Sequence, residues 1–342
     1  MRERAIERIW ESSSGVGRLV RAGLTPASWA YGAIIAARNA GYDRRWMRAR
    51  DLALPAISVG NLTVGGTGKT PVSAFIAARL SALGQKPAIV MRGYGGDEPL
   101  VHERLNPGVP VFRGADRVAG AFQARAAGCT VVVLDDAFQH RRAGRDADVV
   151  LLSADLDGTV RLLPAGPWRE PLSSLARATL VMVTRKGASI GQARDLMARA
   201  LRHAPGAPGA IAHLAPDRLV DWRSGDSRDP ATLAGERVLA VAAIGDPHAF
   251  SAQLVETTGA SVELVAEGDH HAWSAQDAAG LARRAAGVGA VICTLKDAVK
   301  LGPVWPREAS PLWYLSQRVV VEDGAPELDR ILATLAAPAP TH

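Results

Sequence analysis

The stretch Ala56-Ile57-Ser58-Val59-Gly60-Asn61-Leu62-Thr63-Val64-Gly65-Gly66-Thr67-Gly68-Lys69-Thr70 decides the fold. Residues 56–60 are apolar or small, as a short buried strand requires, and residues 69–83 read as a helix ended by Gly84. Between them lies a glycine-rich loop, and strand, loop and helix in that order make a P-loop. Successive backbone N–H groups of such a loop, backed by the helix N-terminus, surround phosphate oxygens; a lysine neutralises charge and a Ser or Thr hydroxyl holds magnesium. Thr63, Val64, Gly65, Gly66, Thr67, Gly68, Lys69 and Thr70 are therefore the expected nucleotide-phosphate cradle, with Thr63 standing where the strict pattern has Gly.

Strand signals follow at residues 87–91, 109–112, 130–134, 148–152 and 180–184, with helices at 116–127 and 190–203. This alternation predicts an α/β fold whose mainly parallel sheet is covered on both faces. The strand at 130–134 runs into Asp135-Asp136, the place where P-loop enzymes put magnesium-holding carboxylates, so Lys69, Thr70, Asp135 and Asp136 form one expected constellation. Residues 205–234 turn to Pro, Gly, Ser, Asp and Arg, with a short strand-like piece at 210–214, and read as a linker, after which residues 235–342 resume strand and helix signals, the last strand at 311–315, as a smaller α/β domain. The expected order is thus an N-terminal segment over 1–50, a P-loop domain over 51–204, the linker, and the second domain.

A chain of 342 residues with 48% hydrophobic composition can bury two cores. Forty Lys and Arg against 34 Asp and Glu point to acidic partners, but the basic residues are dispersed and no aromatic and basic RNA-binding signature occurs, which argues against nucleic acid. Cys129 and Cys293 each sit in or beside an apolar run, as buried thiols of a reducing compartment do. No secretory leader is recognised, and no obligatory protein partner is evident. Residues 24–37 are apolar or small, bounded by Arg21 and Arg38, with further arginines and Trp10, Trp29, Tyr31 and Trp46 around them. That run is short for a membrane span. It reads either as a helix packed on the domain or as a basic, aromatic surface for anionic lipid.

A P-loop leaves GTPases, ATPases and kinases open. An Asn-Lys-x-Asp guanine reader is missing from the later strand ends, where Thr184-Arg185-Lys186-Gly187 and Thr294-Leu295-Lys296-Asp297 stand instead, so ATP is the expected nucleotide. Ser58 to Pro71 closely resembles the P-loop of the tetraacyldisaccharide 4'-kinase family, the lipid A 4'-kinases, which also has Thr or Ser at the position of Thr63. The resemblance continues through Arg92-Gly93-Tyr94-Gly95, Gly96-Asp97-Glu98-Pro99, Asp116-Arg117, Asp135-Asp136-Ala137-Phe138-Gln139-His140 and Leu163-Pro164-Ala165-Gly166-Pro167-Trp168-Arg169-Glu170-Pro171-Leu172. In the second domain it takes in Gly245-Asp246-Pro247 with Phe250, Asp269-His270-His271 and Lys296-Asp297-Ala298-Val299-Lys300-Leu301, so it spans nearly the whole chain in order.

The resemblance implies transfer of the ATP γ-phosphate to the 4'-hydroxyl of an acylated glucosamine disaccharide 1-phosphate at the cytoplasmic face of the bacterial inner membrane, giving the 4'-phosphorylated lipid A precursor. It favours the lipid reading of the N-terminal segment, because each acyl methylene adds about 0.8 kcal/mol of membrane retention and the enzyme must go to its substrate. By the same resemblance Asp97 is the base for the acceptor hydroxyl, paired with His270 of the second domain, whose approach would raise its basicity. Glu98 joins Thr70, Asp135 and Asp136 as magnesium-linked, while Arg92, Tyr94, Arg117, Gln139 and His140 are the expected substrate or phosphate contacts. The chain departs from the family in running Gly95 directly into Gly96, in Ala137 where Gly is usual, and in Thr184 where Asn is common. The competing readings are a kinase or ligase for a soluble small molecule and a nucleotide-switched membrane adaptor; the second gives Asp97 and His270 nothing to do.

Overall fold

The computed structural model describes residue 10 and residues 15–93, 96–156 and 159–337. The chain forms two compact units, one of Met1–Gly93, His102–Leu214 and Val319–His342, the other of Tyr94–Val101 and Ala215–Arg318.

The first unit is built on a parallel sheet. Strand Ala56–Asn61 lies between Val131–Asp135 and Ala147–Ser153. Pro87–Met91 and then Val111–Arg113 extend one side, and Leu180–Arg185 and the first half of Gly209–Asp221 extend the other, every pairing parallel. Ala56–Asn61, Pro87–Met91 and Val131–Asp135 are buried at every position, which is why they read as unbroken apolar runs rather than alternations. On one face Val72, Ile76 and Leu80 of helix Lys69–Ala82 and Leu328, Leu332 and Leu335 of helix Ala325–Ala336 pack on Ile57, Val59 and Val133. On the other, Val118, Ala121 and Ala124 of helix Arg117–Ala126 pack on Val90, Val132 and Leu134.

The second unit has its own parallel strands, in the order Ser261–Ala266, Arg237–Ala242, Ala290–Thr294 and the first part of Leu312–Asp323. Residues 215–221 lie beside the last of these and take the short antiparallel strand Ser227–Arg228 on their other side. Its core has Leu239, Val241, Val291 and Cys293 on one face and Val238, Ala240, Ile292 and Leu254 on the other.

Two stretches differ from the expectation. The strand-like piece read at 210–214 within the linker is part of the 13-residue strand Gly209–Asp221, whose apolar half, with Ala210, Ile211, Ala212 and Leu214 buried, joins the first sheet. The strand read at 311–315 is the start of Leu312–Asp323, which runs on because residues 319 and 321 turn a valine toward the first core while Val320 and Glu322 alternate outward. The stretch 319–337 thereby belongs to the first unit rather than to the second domain expected over 235–342.

At the N-terminal side, helix Gly15–Asp43 runs for 29 residues with Pro26 inside it. Its inner face is tied to the Pro-rich stretch. Ser28 Oγ donates to Leu162 O at 3.0 Å, Tyr31 Oη donates to Arg169 O at 3.0 Å, and Asn39 Nδ2 donates to Glu170 Oε2 at 3.0 Å. Its outer face leaves Val16, Leu19, Trp29 and Ile34 at least 66% exposed. Among the described residues no helix is long and apolar enough to cross a membrane.

Candidate functional site

Helix Lys69–Ala82 begins at Gly68, which holds a left-handed conformation (φ 83°) and offers no side-chain cap. The first-turn N–H groups are thus left without a side-chain acceptor, the arrangement that takes an anion. Gly65 also has positive φ (108°), which a residue with a Cβ would adopt only under strain. The loop is held from behind: Asn61 Nδ2 donates to Thr67 Oγ1 at 2.8 Å, and Thr184 Oγ1 donates to Thr67 O at 2.9 Å. Thr184, a departure from the family pattern, is therefore a strut of the phosphate loop. Thr63 forms an antiparallel bridge with Trp168, flanked by Val64 N to Pro167 O and Arg169 N to Leu62 O, both 2.7 Å. A β-branched residue suits that extended backbone, which accounts for Thr where the strict pattern has Gly.

Two carboxylates end strand Val131–Asp135. Asp135 is buried, its Oδ1 accepting from Ser73 Oγ at 2.9 Å and its Oδ2 facing His102 Nε2 at 2.9 Å. Burial alone would push the Asp135 carboxyl up; the His102 hydrogen bond and the nearby charges of His102 and Lys69, with the Ser73 hydroxyl, outweigh it and hold the group below its ordinary value. Asp136 has positive φ (49°) and meets Arg169 Nη1 at 2.8 and 3.1 Å, with Lys69 Nζ 3.8 Å away. Among the described residues no group of three or more His, Cys, Asp or Glu side chains is placed to hold a metal by itself. Magnesium needs no such cage, since it takes one or two carboxylates and completes its shell with phosphate oxygens and water. The oxygen donors of Thr70, Asp135 and Asp136 fit it.

Of the expected substrate contacts in this unit, Arg117 is buried, with Nη1 donating to Gly114 O at 3.0 Å. Burial pushes its guanidinium pKa down, Asp136 and Asp135 pull it up, and Arg92 opposes them. Its Nε has no hydrogen-bond partner among the described residues. Burial, with Arg117 beside it, lowers the His140 pKa and keeps that imidazole neutral at pH 7. Gln139 is differently used from expectation: its amide donates to Asn61 O at 2.9 Å and braces the end of the central strand. Arg92 is exposed at the end of strand Pro87–Met91. Tyr94 lies outside the described residues.

The second unit carries the other group. Asp97 and Glu98 fall within Tyr94–Val101, which belongs to the same unit as His270, so the pair forms inside one unit and needs no approach of two domains. Asp97 Oδ2 is 3.1 Å from His270 Nδ1, and its Oδ1 accepts from Glu98 N at 3.1 Å. His270 has positive φ (57°), its N–H held by Asp269 Oδ1 at 2.9 Å. The expected rise in basicity is overturned. Burial would raise the Asp97 carboxyl, but the His270 hydrogen bond and charge, with Lys296 and Lys300, bring it below its ordinary value, while Asp97 raises the imidazole. Both shifts run in the direction that favours a carboxylate facing an imidazolium.

Sequence reasoning assigned no role to His102, which clamps Asp135, or to Arg169, which grips Asp136. Arg169 stood in a quoted motif and could have been found there; a lone histidine one turn along a helix carries no signal of a carboxylate 33 positions away.

A profile of the tetraacyldisaccharide-1-P 4'-kinases matches residues 20–337. The tetraacyldisaccharide 4'-kinase of Halorhodospira halophila is 38% identical over 312 residues, covering 85% of this chain and 86% of that protein. That of Geobacter metallireducens is 39% identical over 323 residues, covering 85% and 91%. Among solved structures, the "apo" form of LpxK from Aquifex aeolicus in complex with ATP superposes with a TM-score of 0.73 at 26% identity, covering 93% of this chain and all of that one.

Proposed function

This chain belongs to the tetraacyldisaccharide-1-P 4'-kinase family and is an ATP-dependent kinase of lipid A 4'-phosphorylation, and from that premise we propose how its residues divide the reaction. The acceptor is the 4'-hydroxyl of an acylated glucosamine disaccharide 1-phosphate. Its oxygen bonds to the γ-phosphorus of ATP as the bond to the bridging oxygen breaks, the hydroxyl proton passes to Asp97, and ADP leaves. The P-loop N–H groups and Lys69 hold the phosphates, and Asp136 with Arg169 fixes the charge beside Lys69. Thr70, Asp135 and Asp136, with Glu98, are the residues for magnesium, which neutralises phosphate charge when bound. Arg92, Tyr94, Arg117 and His140 are the candidates for contacts to anionic substrate groups.

A sugar hydroxyl loses its proton late in a loose phosphoryl-transfer transition state, so Asp97 has more to gain from being ionised and oriented than from being strongly basic. The observation that carries this reading is the contact of Asp97 Oδ2 with His270 Nδ1 at 3.1 Å. We place the enzyme at the cytoplasmic face of the bacterial inner membrane, docked on anionic lipid. The support is helix Gly15–Asp43, which exposes an apolar face, carries Arg18 exposed near its start, and is followed by the exposed Arg44, Arg45 and Arg48.

The test is incubation with labelled ATP, magnesium and lipid A disaccharide 1-phosphate. A product carrying a second phosphate, at the 4' position, is expected. Its absence under conditions in which a known 4'-kinase turns over would overturn the reading.

A further inference from the structure

The stretch Lys296-Asp297-Ala298-Val299-Lys300-Leu301 has no part in the reaction as described so far, and the structure divides it by job. Asp297 is spent on the fold. Fully buried, its carboxylate accepts from Ala243 N at 3.1 and 3.2 Å, from Trp273 Nε1 at 3.1 Å and from Thr294 Oγ1 at 2.7 Å. Lys300, in the last turn of helix Leu295–Leu301, anchors nothing of this kind. Its Nζ is buried and has no hydrogen-bond partner among the described residues. It lies 3.6 Å from Asp97 Oδ2, the one carboxylate within ion-pair distance of it among those residues.

Burying an ammonium without hydrogen bonds is costly and is offset only by an opposite charge close at hand. The fold gains no anchor in return, so the reason for the lysine lies at Asp97. The same oxygen, Oδ2, also faces His270 Nδ1, whereas among the described residues Oδ1 accepts from the neighbouring Glu98 N–H. An ammonium and an imidazole nitrogen converging on one carboxylate oxygen fix the rotation of the group and single out the other oxygen.

We propose that Lys300 is a positioning residue for Asp97: with His270 it holds Oδ2, so that Oδ1 is the oxygen presented to the acceptor hydroxyl. The proposal rests on the reading of Asp97 as the base. Its physical content is orientation, since a base must meet the acceptor proton along a lone-pair direction and a small misplacement lowers the rate steeply.

The experiment compares Lys300→Met, Lys300→Gln and Lys300→Arg with the unaltered enzyme, measuring kcat and KM for ATP with labelled ATP and the disaccharide, and thermal unfolding. Met and Gln are expected to lower kcat about 10- to 100-fold with KM for ATP within about twofold, and Arg, which keeps the charge, to recover part of the loss. In an Asp97→Asn background the residual turnover is expected not to fall further when Lys300→Met is added, because the carboxylate it acts on is gone. Unchanged kcat in Met and Gln, an equal fall in the Asp97→Asn background, or loss of folding in both would each overturn the proposal, the last two by making Lys300 a scaffold residue. Full turnover by Asp97→Asn would instead remove the base reading itself, and the Lys300 role with it. An inactive Asp97→Asn beside a fully active Lys300→Met removes only the Lys300 role.

Discussion

Asp97→Asn removes a proton acceptor while keeping the side chain's size, and it is expected to cut kcat by about 10²- to 10⁴-fold while ATP affinity stays near that of the unaltered enzyme. Nucleotide binding measured beside turnover checks it; parallel loss of ATP binding would take Asp97 out of the base role. At this scale the sequence was legible wherever chemistry and local spacing coincide. The P-loop residues and the paired Asp135-Asp136 are contiguous, so their types and placement point to phosphate and metal, whereas Asp97 was read as the base only through the resemblance of its motif to the family. The residues that orient them were not legible, because orientation comes from partners far along the chain: Ser73 and His102 for Asp135, Arg169 for Asp136, Thr184 for Thr67. The direction of the Asp97 shift was misjudged for the same reason, since it depends on cations that the fold gathers around one oxygen.

Among elements, the buried parallel strands were the most legible, as unbroken apolar runs admit few other readings. Of strand Gly209–Asp221 only the apolar half, which serves the first sheet, was legible as strand-like; its polar half, in the second unit, was masked by composition. Helix Gly15–Asp43 was legible as a helix, but its two faces appear only in three dimensions. The inner face is hydrogen-bonded to Leu162, Arg169 and Glu170, and the outer face leaves Leu19, Trp29 and Ile34 in solvent. Replacing Leu19, Trp29 and Ile34 together by Asp is expected to weaken sedimentation with vesicles containing anionic lipid by about tenfold or more, since apolar area and surface charge both drive interfacial binding. Thermal stability should stay near that of the unaltered chain because these side chains are largely in solvent. Vesicle binding that does not change would refute docking through this face.

For the whole molecule, neither unit is a single run of sequence. The first is completed by residues 319–337, reached only after the chain has built the second, and Leu328, Leu332 and Leu335 of helix Ala325–Ala336 lie in the same core as the P-loop helix. Leu332→Ala, far in sequence from Lys69, is therefore expected to destabilise the first unit by about 2–4 kcal/mol in denaturant unfolding followed by a probe in that unit. A change under about 0.5 kcal/mol, the size typical of surface substitutions, would refute this packing. This interleaving has a consequence in time. Ribosomes deliver residues in order, so the phosphate-binding half emerges early and must wait, its sheet face uncovered by that last helix, while residues 215–318 are made. Nascent chains halted before residue 319 should be the ones that chaperones hold and proteases find, and nucleotide binding should be among the last properties the newborn protein acquires.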